Sequence, residues 1–210
     1  DVVYFAAQKV AVHLQQASGE FAAAPSRVLV LASAPDADVS RLEFIHHGGG
    51  PAADLLLVRK TGGGPAFTSD WEVRLWLDAF TQASVIPPAE GTEPPAAPDW
   101  SLAAPAAIVK SKAASVGAYL VDLDGDGRQD LGLSSWDFDV SLIGESAPKL
   151  QHVTSGYLAQ ADGGFAARPA FAVTREFAVQ DLEGLRDVPA FAADLTGDGR
   201  ADLIESTTSG

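Results

Sequence analysis

The chain contains no cysteine and only 14 lysines and arginines among its 210 residues. The absence of cysteine excludes disulfides, thiolate-bound zinc and cysteine nucleophiles. No apolar run approaches the roughly 18 residues that a membrane-spanning helix needs, so membrane insertion is not expected. The chemistry of this chain must therefore come from its oxygen and nitrogen side chains.

Acidic residues outnumber basic ones by 28 to 14, which gives a formal net charge of −14 and a sequence pI near 4.4. Nucleic-acid binding draws most of its affinity from lysine and arginine contacts to phosphates. The excess of negative charge therefore argues against a nucleic-acid partner and against docking on anionic lipid.

Many of the acidic residues lie in two nine-residue loops of nearly the same sequence, 122–130 and 194–202. Oxygen-bearing side chains occupy loop positions 1, 3, 5 and 9, and glycines at positions 4 and 6 permit the positive φ of a tight turn. Calcium takes about six to eight oxygen ligands, which this spacing can supply. The pattern predicts two Ca²⁺ sites, with ligands from Asp122, Asp124, Asp126, the Arg128 carbonyl and Asp130, and from Asp194, Thr196, Asp198, the Arg200 carbonyl and Asp202.

A solvated acidic turn that binds nothing is the alternative, and the recurrence of the same spacing argues against it. The second site is expected to bind calcium more weakly, because Thr196 supplies a neutral hydroxyl where the first loop has a carboxylate.

The EF-hand loop shares this ligand spacing, but it also needs a bidentate Glu at position 12 and a helix on each side. Position 12 is Leu133 in the first loop and Glu205 in the second. The segments that flank both loops are short apolar runs without helical spacing. Each loop is therefore predicted to join two β-strands.

Other parts of the chain also repeat. Residues 16–25 and 160–169 share their Gln-Ala, Gly, Phe and Pro positions around a Gly-x-Phe step. Residues 46–54 are a degenerate third copy of the acidic loop that retains its final Asp54, and no metal is expected there. The first residues, Asp1-Val-Val-Tyr-Phe, are similar to the strand that follows each loop.

The Asp-x-Asp-Gly-Asp-Gly-x-x-Asp-Leu loop and the Gly-x-Phe step resemble the FG-GAP or VCBS repeats of integrin-α-like β-propellers. The resemblance covers nearly all of residues 1–210 and is specific at the two acidic loops. It implies an all-β fold of four-stranded antiparallel blades, with calcium between the first two strands of a blade. The implied units are a partial blade at 1–30, a blade with the degenerate loop at 40–85, a Pro-rich insertion between blades at 86–105, a calcium blade at 115–175 and a partial calcium blade at 188–210.

A closed propeller needs about four to eight blades. The units above do not close a ring, and the chain begins inside one repeat and stops just after a loop. We therefore expect a segment of a larger propeller.

Catalysis has little support in the sequence. No serine lies in a Gly-x-Ser-x-Gly elbow, and a bound cation would keep the loop carboxylates ionised rather than suited to general-acid work. Trp71 and Trp136 are interpreted as packing residues, with a ligand-binding rim at Trp136 as the alternative. The Pro-rich segment is interpreted as a linker or insertion, with a partner-docking loop that exposes Trp100 as the alternative. His46–His47 is interpreted as a polar turn.

The resemblance implies a non-catalytic module for protein–protein interaction or scaffolding. Extracellular calcium modules work at about 10⁻⁴–10⁻³ M calcium, which favours a secreted, cell-surface or periplasmic location. A glycan-binding propeller is one alternative, although the aromatic residues do not recur at a fixed repeat position. The propeller domain of a secreted polysaccharide-degrading enzyme is another, and it would need a basic cluster in its central cleft.

Overall fold

The computed structural model describes residues 2–6, 9–31, 38–47, 49–63, 68–87, 99–138, 149–178, 190–191 and 194–204. In these residues the chain is all-β, apart from one short helix, α1, at Ala79–Gln82. The strands form two four-stranded sheets, one five-stranded sheet and a two-stranded hairpin. The predicted all-β class is confirmed.

The middle sheet contains four antiparallel strands in the order β4-β5-β6-β9. Its strands are β4 at Asp38–Ile45, β5 at Asp54–Gly63, β6 at Ser69–Trp76 and β9 at Ala107–Ala113.

The loop sheet, named for the acidic loop that it carries, contains four antiparallel strands in chain order. Its strands are β10 at Ser115–Val121, β11 at Asp130–Phe138, β12 at Lys149–Tyr157 and β13 at Phe171–Ala178. These strands span residues 115–178, and the assignment of 115–175 to a calcium blade stays a prediction.

The first sheet is mixed, because β3 and β8 pair in parallel and all other neighbouring strands in the sheet pair in antiparallel. Its strands, in spatial order, are β1 at Val2–Ala6, β2 at Lys9–His13, β3 at Arg27–Val30, β8 at Asp99–Ser101 and β7 at Ser84–Val85. A separate hairpin pairs β14 at Ala190–Phe191 with β15 at Leu203–Ile204.

The middle sheet packs on both of its faces, which explains the continuous apolar run Leu55–Val58 in β5. Side chains alternate between the two faces of a strand. Leu56 joins the core that includes Leu131 of the loop sheet, whereas Leu55 joins the core that includes Leu29 of the first sheet. The three sheets therefore stack face to face, with the middle sheet between the other two.

The two Gly-x-Phe segments fold into the same turn, as their sequence similarity predicts. Gln16 N donates to Glu20 O at 2.7 Å, and Gln160 N donates to Gly164 O at 2.8 Å. A bridge to the phenylalanine, Phe21 or Phe165, closes each turn. One turn connects β2 to β3 and the other connects β12 to β13, so the repeat is structural as well as sequential.

The Pro-rich segment occupies a different place from the one predicted. The sequence assigns 40–85 to one blade and 86–105 to an insertion between blades. In the structure β9 pairs with β6, so the connection that contains 86–105 joins the third and fourth strands of the middle sheet. Within this connection β7 and β8 pair with the first sheet, which the local composition does not indicate.

A buried polar network lies on the loop sheet around His152, whose side chain is fully buried. Its Nε2 lies 2.7 Å from Ser134 Oγ, and its Nδ1 lies 3.5 Å from Thr154 Oγ1. Burial lowers the pKa of His152, because the imidazolium loses its hydration there. The unfolded chain takes up this proton near the ordinary pKa of about 6.5. The stability that neutral His152 contributes is therefore present above about pH 6.5 and is lost as the pH falls towards the folded-state pKa.

Replacing His152 with Gln should weaken the pH dependence of stability, since one buried titrating group is removed. We expect the free energy of unfolding to fall less between about pH 7.5 and about pH 5 in His152→Gln than in the parent, as measured by urea denaturation. His46→Gln, at an exposed position, is the matched control. Equal pH dependence in the parent and His152→Gln would contradict the assignment.

Candidate metal centre

Both acidic loops connect antiparallel strands. The first lies between β10 and β11, where Val121 pairs with Asp130. The second lies between β14 and β15, where Phe191 pairs with Leu203. The prediction that each loop joins two strands is confirmed, and this arrangement differs from the helix-flanked loop of an EF-hand.

The first loop folds around the carboxylate of Asp122. Its Oδ1 accepts a hydrogen bond from Gly125 N at 2.8 Å, and its Oδ2 accepts one from Gly127 N at 2.9 Å. Gly125 and Gly127 have φ angles of 82° and 85°, a conformation that side chains other than glycine rarely adopt. The glycine spacing therefore sets the loop conformation locally.

Asp130, the last residue of this loop, is 1% exposed and holds the loop against the sheet. Its Oδ2 accepts a hydrogen bond from Leu123 N at 2.7 Å, and its Oδ1 accepts one from Ala159 N at 2.6 Å. Burial raises the pKa of Asp130, and the negative charges of Asp124 and Asp126 raise it further. A cation beside these carboxylates would offset that repulsion.

Three carboxylates of the first loop converge. Asp122, Asp124 and Asp130 each offer one oxygen, and these oxygens lie within 4.8 Å of one another. Elsewhere in the described ranges no three His, Cys, Asp or Glu side chains meet this condition. A set of carboxylate oxygens suits a hard cation such as Ca²⁺, whereas softer metals favour imidazole or thiolate ligands. The donor set therefore fits the predicted ion.

Asp126 is not part of this group and instead bonds Arg128 of the same loop. Its carboxylate accepts hydrogen bonds from Arg128 N at 2.8 Å and from Arg128 Nε at 2.7 Å. The side-chain hydrogen bond from Arg128 lowers the pKa of Asp126. The ligand roles of Asp126 and of the Arg128 carbonyl stay predictions.

The second loop repeats this hydrogen bonding. Asp194 accepts from Gly197 N at 2.6 Å and from Gly199 N at 2.7 Å, as Asp122 does in the first loop. The backbone hydrogen bond from Gly199 is the main cause that lowers the pKa of Asp194. Asp202 Oδ2 accepts from Leu195 N at 2.6 Å, which matches the bond from Leu123 to Asp130.

The other predicted ligands of the second loop form local bonds. Thr196 Oγ1 lies 3.5 Å from Asp194 Oδ1, and Asp198 Oδ1 accepts from Arg200 N at 3.0 Å. The structure does not bring the side chains of this loop into a three-carboxylate group among the residues that it describes. A second calcium site at Asp194, Thr196, Asp198, Arg200 and Asp202 stays a prediction.

The degenerate loop at 46–54 keeps the hydrogen bonds of its final aspartate but lacks acidic residues at loop positions 1, 3 and 5. Asp54 Oδ2 accepts from His47 N at 2.6 Å, and Asp54 Oδ1 accepts from Asp78 N at 2.7 Å. These two bonds match those of Asp130 in the loop sheet. The final aspartate of this segment therefore takes the same anchoring role as Asp130.

Asp78 supplies a carboxylate to this copy from outside the loop. Its Oδ1 accepts a hydrogen bond from Ala52 N at 3.1 Å, and a Cβ at Gly50 would lie 2.2 Å from that oxygen. Asp78 has a φ of 45°, which is uncommon for a residue other than glycine. No local sequence pattern indicates Asp78, because its position depends on the pairing of β5 with β6.

The aromatic residues mainly pack against protein. Trp71 is buried and donates from Nε1 to Ala113 O at 3.0 Å, as the packing interpretation predicts. The Trp136 ring centroid lies 4.6 Å from that of His152. Trp100 lies in β8 of the first sheet, and the Arg27 guanidinium of β3 lies 4.8 Å from the centroid of its ring.

A cluster of basic side chains surrounds Glu72 on the middle sheet, and it lies outside the motifs found in the sequence. Glu72 carboxylate oxygens lie 3.0 Å from Arg59 Nη2, 2.7 Å from Arg74 Nη2 and 3.7 Å from Lys110 Nζ. Burial acts to raise the pKa of Glu72, but hydrogen bonds from Arg59 and Arg74 outweigh it, and the pKa is lowered. Alternation along β5, β6 and β9 could have indicated this shared face.

Replacing Asp78 with Ala should destabilise the protein by about 1–3 kcal/mol, because Ala52 N loses a hydrogen-bond acceptor in a part-buried loop. Gly50→Ala should also destabilise it, since the added Cβ would displace the Asp78 carboxylate. The free energies of unfolding of both variants and of the double variant can be measured in urea.

The two substitutions act on one contact, so their effects should not add. Gly63→Ala is the matched control, because a Cβ at Gly63 meets nothing within 4 Å. Full additivity of Asp78→Ala and Gly50→Ala would show that Asp78 does not support the loop.

In the part of the chain that the structure describes, no helix combines the length and the apolar character needed to cross a membrane. Comparisons with protein-family models, curated proteins and solved structures find no match to this chain. The interpretation of the metal centre therefore depends on its own residues and geometry.

Proposed function

We propose that this chain is a non-catalytic, calcium-stabilised β-propeller segment of the FG-GAP or VCBS type, which serves protein–protein interaction or scaffolding outside the cytoplasm. The observation that carries the proposal is the group of three carboxylate oxygens, from Asp122, Asp124 and Asp130, within 4.8 Å of one another. The group lies in a loop whose sequence spacing matches a calcium cage.

Calcium at this loop would act on stability. Asp122, Asp124 and Asp130 repel one another when ionised, and the buried Asp130 also loses hydration. A divalent cation would compensate both costs and tie β10 to β11 at one end of the loop sheet. Binding to the folded state stabilises it by about 2.7 kcal/mol when free calcium is about a hundredfold above Kd.

The stacking of the sheets supports the propeller assignment. The middle sheet packs between two neighbours, as a blade does inside a propeller, and two loops occupy the same strand-to-strand connection in successive sheets. The turn that connects β2 to β3 also recurs between β12 and β13. A repeated unit that buries its faces only against neighbouring units is typical of repeat architectures.

The contacts of Trp71 and Trp136 with other protein groups favour an interaction module over a lectin. Trp71 is buried with its indole nitrogen bonded to Ala113 O, and Trp136 packs on His152 and Phe177. Glycan recognition would need such rings to be available for stacking. A glycan array in calcium and in EGTA would separate the two functions, because calcium-dependent glycan binding would favour the lectin.

The Ser134–His152 pair does not indicate a serine hydrolase, and the basic side chains around Glu72 form ion pairs with it on the middle sheet. Ser134 and His152 are within hydrogen-bond distance, but Thr154 rather than a carboxylate lies beside Nδ1, and His152 is fully buried. A serine hydrolase needs an accessible nucleophile and a base oriented by a third group. The pair is better explained as a core network.

Calorimetric titration with calcium tests the proposal. The parent should bind two ions, with the tighter site at the first loop, and its unfolding midpoint in urea should be higher in calcium than in EGTA. Asp124→Ala should lose the tighter site. The control is Asp162→Ala, which removes one exposed carboxylate in the turn between β12 and β13 and should keep both sites. A parent that binds no calcium at millimolar concentration would overturn the proposal.

A further inference from the structure

We infer that the two acidic loops are energetically coupled, so that calcium in one loop strengthens calcium binding in the other, and that Arg200 is the positioning residue for this coupling. The inference rests on the proposed calcium function and adds to it a calcium-dependent contact between the loop sheet and the hairpin of β14 and β15. This contact is made directly between the two acidic loops, which lie far apart in the sequence.

Two hydrogen bonds connect the loops through the backbone of the first one. Ala201 N donates to Asp122 O at 2.8 Å, and Arg200 Nε donates to Asp124 O at 3.1 Å. Asp122 and Asp124 are also two of the three residues whose carboxylate oxygens converge. The second loop therefore holds the backbone segment that positions the proposed ligands of the first.

A close approach of the backbones accompanies these bonds. A Cβ at Gly125 would lie 3.1 Å from Gly199 O and 3.2 Å from Arg200 Cγ. Gly127 has nearly the same φ, 85° against 82°, but a Cβ there would meet nothing within 4 Å. A side chain at position 125 would therefore press against the second loop, whereas one at position 127 would not reach it.

The two equivalent arginines have different partners. Arg128, at position 7 of the first loop, hydrogen-bonds Asp126 in its own loop. Arg200, at position 7 of the second loop, reaches across to Asp124 O. Of these two arginines, Arg200 bonds across to the other loop in the described structure, whereas Arg128 bonds within its own.

Order gives the coupling its sign. Asp122 and Asp124 supply proposed metal ligands and also the backbone carbonyls that accept hydrogen bonds from the second loop. An ion in either loop orders this shared contact, so less conformational entropy is lost when the second ion binds, and we expect this gain to exceed the repulsion between the two bound cations. By linkage, the factor by which the first ion improves binding of the second equals the factor in the reverse direction.

The coupling would act on the position of β14 and β15. Both strands are two residues long, and the second loop lies between them. So short a hairpin has little stability of its own. Loading both loops would therefore fix the hairpin against the loop sheet, and removal of calcium would release it.

Calorimetric titration of matched variants measures the coupling. The parent should bind the two ions with positive cooperativity, and a typical coupling factor is about 5–150-fold. Arg200→Ala should reduce that factor by at least about fivefold while both sites still bind, because the backbone carbonyl at 200 is retained. Arg128→Ala, which removes the equivalent guanidinium, should keep the cooperativity of the parent. Independent sites in the parent, or an equal loss of cooperativity in both variants, would overturn the inference.

A second pair of variants tests the close approach of the two loop backbones at Gly125. Gly125→Ala and Gly127→Ala impose the same unfavourable φ on alanine, so both should weaken calcium binding to the first loop. Only Gly125→Ala should also weaken calcium binding to the second loop, since its Cβ would lie 3.1 Å from Gly199 O and would push that loop away slightly. Equal effects of the two substitutions on the second loop would contradict the contact.

Amide hydrogen exchange gives a readout that does not depend on fitting two sites. Exchange at Ala201 N should be slower in calcium than in EGTA in the parent, and Asp124→Ala should abolish most of that difference. Unchanged protection of Ala201 N in Asp124→Ala would overturn the coupling. A parent that binds two ions without cooperativity refutes the coupling alone, whereas a parent that binds none refutes the calcium function itself.

Discussion

An aspartate at the end of each acidic loop holds the loop to its sheet, and the other features of the site depend on it. Asp54, Asp130 and Asp202 each accept a hydrogen bond from the second residue of their own loop. In the middle sheet and the loop sheet the other carboxylate oxygen binds the backbone just beyond the third strand. A carboxylate that is 1% exposed persists only when such bonds satisfy it. This arrangement sets where each loop begins and how it crosses the end of its sheet.

The aspartate that anchors each loop and the carboxylates that would bind a metal are separate features of the site. The loop at 46–54 keeps the anchoring aspartate, and the Asp78 carboxylate enters it from the following connection. The loop at 122–130 has the same anchor and instead gathers three carboxylates of its own. The repeated loop therefore lies at a matching position in the middle sheet and the loop sheet. The Asp78 carboxylate enters it in the middle sheet, and the proposed cation would lie there in the loop sheet.

Much of this architecture follows from local patterns in the sequence. The apolar run Leu55–Val58 and the short runs beside the acidic loops predict strands, and the similarity of 16–25 to 160–169 predicts two equivalent turns that the structure contains. The segment 86–105 shows where local patterns are insufficient. Its composition predicts an insertion between blades, but β9 returns to pair with β6 across it. That pairing is set by burial between sheets, which composition does not record.

The sequence by itself determined the loop conformations, because the spacing of Asp122 from Gly125 and Gly127 closes each turn through hydrogen bonds over a few residues. Tertiary structure alone decided which groups meet. The entry of Asp78 into the degenerate loop depends on the register of β5 with β6. The bond from Arg200 to Asp124 O joins residues 76 positions apart, and it exists only because separate sheets bring their loops to the same place. Local spacing controls torsion angles, whereas contacts between distant residues depend on how the sheets stack.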